Sequence, residues 1–109
     1  MKFFILPSTK ISPMKTWKTK NLKHLAEAFL SLETPPEMLN FLRDLCTIEE
    51  LQEMSQRWQA VTLINKGIAY REIAKTTGLS TTTVTRIAHW LNHGEGGYKS
   101  ALMKRNKIS

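Results

Sequence analysis

The run Tyr70–His89, YREIAKTTGLSTTTVTRIAH, decides the fold. Ala74, Gly78 and Val84 fall at the intervals needed where two short helices cross at a tight turn. A small Ala74 lets the second helix approach, Gly78 permits the positive φ of the turn, and Val84 packs back onto the first helix. Ile73, Leu79 and Ile87 supply the other inward positions, and Ser80 is a good N-cap for a second helix running from Thr81 to about Leu91. This spacing predicts a helix-turn-helix over 70–91.

If the second helix packs through Val84, Ile87, Ala88 and Leu91, its opposite face presents Thr81, Thr82, Thr85, Arg86 and His89, with Ser80 at its leading edge. Such side chains suit a DNA major groove. Threonine brings a hydroxyl and a methyl, and arginine pairs bidentately with guanine or reaches a phosphate. Arg71 and Lys75 on the first helix are placed for backbone or flanking-base contact. The same crossing geometry also serves as plain helix packing, but a packing face would be apolar where this one is short, polar and cationic.

Working outward, the pattern stays helical. Leu22, Leu25, Ala26, Phe29 and Leu30 recur at three- and four-residue steps, predicting a helix from about Lys20 to Leu32. Thr34 opens a second, with Pro35 and Pro36 in the first turn, where a missing amide costs little, and with Met38, Leu39, Leu42 and Leu45 as its apolar positions. Thr47 and Glu50 form a capping box at the head of the longest helix, whose stripe of Leu51, Met54, Trp58, Val61, Leu63 and Ile64 ends at Lys66 before Gly67. Past the Gly94, Gly96 and Gly97 hinge a short helix is expected from Tyr98 to about Arg105. No segment alternates with period two for long enough to form a strand, so the class is all-α. Residues 1–16 have no periodicity and read as a disordered tail before one helical domain over 17–109. Met14 is an alternative start.

The chain has 109 residues with 16 Lys+Arg against 9 Asp+Glu, a net charge of +7. The charge is +4 over residues 1–33, −2 over 34–66 and +5 over 67–109, so it concentrates at the two ends. That balance points to polyanions, nucleic acid before an anionic membrane. The opening apolar run is too short for a signal peptide, and no window approaches the roughly 20 apolar residues of a membrane span. With one cysteine, Cys46, there is no internal disulfide and a reducing, cytoplasmic setting is expected.

Other candidates for chemistry are set aside on their spacing. His89 and His93 stand four apart, which puts two imidazoles on one helical face. No third ligand follows, Glu95 is the one nearby carboxylate and Gly94 breaks the helix, so the pair is read as groove-facing or solvated and no metal is expected. Cys46 reads as a buried small apolar residue. Glu49, Glu50 and Glu53 suit the positive end of their helix better than acid/base work. Trp17, Trp58 and Trp90 have rings that could stack on bases, but Trp58 lies within an apolar stripe and reads as core. The glycine cluster lacks the Lys-Ser/Thr of a phosphate loop. No enzyme and no cofactor are expected.

From Trp17 to Tyr98 the chain resembles the YerC/YecD group of Trp repressor-related proteins. The likeness is carried by Asp44-Leu45-Cys46-Thr47, Gln56-Arg57, Tyr70-Arg71-Glu72-Ile73-Ala74 and the closing Leu91-Asn92-His93-Gly94-Glu95-Gly96-Gly97-Tyr98. The resemblance implies an all-α, intertwined homodimer with two helix-turn-helix heads and sequence-specific binding of double-stranded DNA. It also implies a small-ligand pocket flanked by two arginines, at positions matched by Arg57 and Arg86. The glycine that leaves room for an indole is here Ile87, so tryptophan is not expected as effector. The function expected is a DNA-binding transcriptional regulator, a repressor by resemblance; the alternative is a recognition module of a larger assembly, such as a transposase accessory protein.

Overall fold

The computed structural model describes residues 16–108, with side chains described through Asn106. The expected tail lies outside these residues except for Thr16. Six helices make up the described chain: α1 (Lys20–Leu30), α2 (Pro35–Leu45), α3 (Ile48–Asn65), α4 (Tyr70–Thr77), α5 (Thr81–His93) and α6 (Gly97–Ile108). No strand occurs among the described residues. The described residues fall into two compact units that divide after Glu50.

The first unit holds α1 and α2. The Thr19 hydroxyl accepts from the Leu22 amide at 3.1 Å, satisfying one of the free donors at the start of α1. Thr34 and Glu37 form a reciprocal box: the Glu37 amide donates to the Thr34 hydroxyl at 3.3 Å, and the Thr34 amide donates to the Glu37 carboxylate at 3.2 Å. Pro35 and Pro36 sit in the first turn, where their missing amides leave no acceptor unsatisfied. The two helices meet edge to face through Phe29 and Phe41, whose rings are 5.4 Å apart at 76°. Neither helix contains a buried residue, and Leu22, Leu30, Leu39 and Leu45 are all exposed. Cys46, expected to be buried, is only half-buried, because α2 ends there and its backbone has turned to an extended conformation.

The predicted box at the head of α3 is present, with the Glu50 amide on the Thr47 hydroxyl at 3.0 Å and the Thr47 amide on the Glu50 carboxylate at 2.9 Å. That backbone hydrogen bond favours the charged form and holds the Glu50 carboxyl below the usual glutamate value. At the far end Gly67 takes φ 80°; its amide reaches the Ile64 carbonyl at 2.9 Å and the Ile68 amide reaches that of Leu63 at 3.2 Å. This pair of bonds is the Schellman closure that a left-handed residue after the last turn makes possible.

In the second unit Ala60 and Val61 of α3, Ile73 of α4, and Val84 and Ile87 of α5 lose all solvent exposure, with Leu91 at 8%. Trp58, Leu63, Ile64, Ala74, Leu79, and Tyr98 and Leu102 of α6 pack around them. The inward set read from the helix-turn-helix spacing is the set the core uses.

Candidate nucleic-acid interface

The turn between α4 and α5 is fixed by three side-chain or backbone devices. Gly78 adopts φ 84° and its amide donates to the Ala74 carbonyl at 2.9 Å. A Cβ added there would meet only the Gln56 side chain at 3.6 Å, an ordinary contact, so glycine is required for its backbone angle and not for space. Thr77, which sequence reasoning did not single out, is the one buried polar residue among those described. Its hydroxyl donates to the Ile73 carbonyl at 2.8 Å and accepts from the Leu79 amide at 3.2 Å, so it joins the last turn of α4 to the loop. Ser80 then caps α5, accepting from the Thr83 amide at 3.1 Å while donating to the Thr83 hydroxyl at 3.0 Å.

With Val84, Ile87, Ala88 and Leu91 locked inward, the other face of α5 shows Thr81, Thr82, Thr85, Arg86 and His89, all exposed. The Thr85 hydroxyl donates back to the Thr81 carbonyl at 3.0 Å. In that rotamer Thr85 offers a base edge a methyl group and acceptor lone pairs, whereas Ser80 is occupied by its cap. Arg71, Lys75 and Thr81 line one shallow hollow of about 530 Å³ together with Ala69 and Glu72. The turn therefore brings the two α4 cations beside the leading end of α5. Glu72 was missed: it places a negative charge among groups suited to a phosphate.

Arg57 and Arg86 differ in setting. Arg86 is exposed, while Arg57 pairs with Glu53 at 3.4 Å and lies 5.9 Å from the centre of the Trp90 ring. Ile87 points into the core and is fully buried. The group reaching Arg57 from α5 is thus Trp90, a contact that the sequence does not reveal. Trp58 packs against the core as expected and stands 6.4 Å from the Tyr98 ring. No helix among the described residues is long and apolar enough to cross a membrane.

The fold has counterparts among known proteins. A TrpR-like protein from Eubacterium eligens ATCC 27750 superposes with a TM-score of 0.77 at 35% identity, covering 82% of this chain and 92% of its own. A candidate Trp repressor from Staphylococcus aureus gives the same TM-score at 34% identity, covering 91% and 96%. The uncharacterised protein YerC of Bacillus subtilis (strain 168) is 39% identical over 83 residues, 76% of this chain and 80% of YerC. The sequence profile of the Trp repressor protein family matches residues 20–106, and with these YerC-like relatives it shows that the chain belongs to the Trp repressor family.

Proposed function

We propose that this protein is a homodimeric, sequence-specific DNA-binding regulator that inserts α5 into the major groove. One observation carries the reading: a helix whose apolar side is fully buried presents a short row of Thr82, Thr85, Arg86 and His89 on the other, with the Arg71 and Lys75 cations beside its start. Base edges are read by such hydrogen-bonding and methyl-bearing groups, while the flanking cations neutralise phosphates and fix register. Family membership supports the same class of function. The sign expected from relatives described as Trp repressors is repression.

The homodimer is supported by the first unit. Its helices expose Leu22, Leu30, Leu39 and Leu45 and bury nothing, so a second copy is the natural cover for apolar faces that one chain leaves in water. Two heads related by a twofold axis would read a near-palindrome with half-site centres about 34 Å apart. Tryptophan is not proposed as effector, since Ile87 fills core volume and Arg57 already carries the indole of Trp90. DNA binding is then independent of tryptophan.

Selection of bound duplexes from a random pool, with and without L-tryptophan, tests the reading. The expected result is a near-palindromic motif, recovered equally in both arms. Failure to enrich any motif overturns sequence-specific binding, and enrichment only with tryptophan overturns independence of tryptophan.

A further inference from the structure

One arrangement on α5 shares only His89 with the DNA-reading row. His89 and His93 are both exposed, their ring centres are 4.9 Å apart with the planes inclined at 41°, and both line a cavity of about 690 Å³ with Trp90, Glu95 and Tyr98. Helix α5 runs through His93, so the spacing of four residues is kept by regular helix and not lost at Gly94. Neither imidazole is hydrogen-bonded to another described group.

We propose that His89 and His93 form an open two-imidazole site for a first-row transition-metal ion, with Cu²⁺ preferred over Ni²⁺ and Zn²⁺. A metal bonded to an imidazole nitrogen at about 2.05 Å lies about 3.2 Å from that ring's centre. Two centres 4.9 Å apart then subtend about 100° at the metal, between the right angle of tetragonal coordination and the tetrahedral angle. The separation therefore lets one ion be reached by both rings through side-chain rotation, with the helix itself unmoved. Among the described residues no group of three or more His, Cys, Asp or Glu side chains could hold a metal, so water supplies the remaining positions. Glu95, on the same cavity, adds a negative charge that favours a cation there. Nitrogen ligands and solvent-filled positions impose little geometry, which leaves the ordinary affinity order of divalent ions with Cu²⁺ at its head. This reading does not depend on DNA binding.

The test is a titration of the full chain with Cu²⁺ in a weakly coordinating buffer, followed by pulsed electron paramagnetic resonance. The wild type should bind with two equatorial imidazoles. His89→Asn and His93→Asn should each lose one of these nitrogens and weaken binding by about tenfold or more, since half of the protein ligands are removed. His24→Asn, on α1, should behave as wild type. Circular dichroism confirms that each variant is folded. A wild-type spectrum with one imidazole or none, unchanged binding in the His89 and His93 variants, or a loss caused by His24→Asn would overturn the site.

Discussion

The helix-turn-helix head and the paired helices α1 and α2 use the same amphipathic grammar with opposite results. In the head, apolar residues from α3, α4 and α5 close a core in which Val61, Ile73, Val84 and Ile87 have no exposure. In the first unit the apolar stripes are equally regular, yet Leu30 is 84% and Leu39 65% exposed. Periodicity therefore specifies which face of a helix is apolar, but not what covers it. A stripe on three crossing helices of one chain becomes a core, whereas a stripe on a two-helix arm needs another surface.

The sharpest way to break this contrast is to truncate one apolar side chain in each region. Ile73→Ala should destabilise the head by about 2–5 kcal/mol in denaturant unfolding, because the transfer term and the cavity add. Leu39→Ala should leave the head's unfolding unchanged and instead raise the dimer dissociation constant, read by sedimentation. Equal losses of intrinsic stability at both positions would show that the arm has a core of its own.

Next in size is the turn. Gly78→Ala puts a Cβ at φ 84° with room around it, so the expected cost is the left-handed penalty alone, about 1–2 kcal/mol. A much larger loss would show that space at Gln56, and not the backbone angle, sets the requirement.

The head was legible in sequence because its signals are local: Gly78 and Ser80 each act within four residues. Its inward set followed from spacing, and Ile73, Val84 and Ile87 occupy the core as read. Three features needed the tertiary arrangement. Thr77 carries no signal of its own in the sequence, and its hydroxyl bridges Ile73 and Leu79 only once the turn has formed. Glu72 shares a hollow with Arg71, Lys75 and Thr81 only because the two helices cross there. Trp90 meets Arg57 only because α3 and α5 pack together. Cys46 was expected to be buried, but the end of α2 leaves it half-buried.

The Arg57–Trp90 contact gives a smaller effect. A double-mutant cycle with Arg57→Met and Trp90→Leu should yield about 0.5–1 kcal/mol of coupling, as for partly exposed cation–π pairs. Zero coupling would mean that α5 is held by its buried side alone. The smallest effect is at Glu50. Its carboxyl titrates below the usual glutamate value because the Thr47 amide donates to the charged form, so its contribution is present above that usual value and is lost as pH falls through the depressed one. Carboxyl-resolved NMR titration should show the lowered midpoint, and Thr47→Pro, which removes the amide donor, should return it toward the ordinary range.

The central claim is that the exposed row on α5 reads base sequence. The most direct measurement compares the equilibrium affinity of the wild-type protein and of Thr82→Ala and Lys75→Ala for the selected duplex and a scrambled one at fixed salt. Wild type should prefer the selected duplex by about a thousandfold or more. Thr82→Ala should shrink that ratio, whereas Lys75→Ala should weaken both duplexes alike and flatten the dependence of log affinity on log salt by about one unit. A wild-type ratio near one, or a ratio that Thr82→Ala leaves unchanged while Lys75→Ala abolishes it, would contradict α5 as the reading helix.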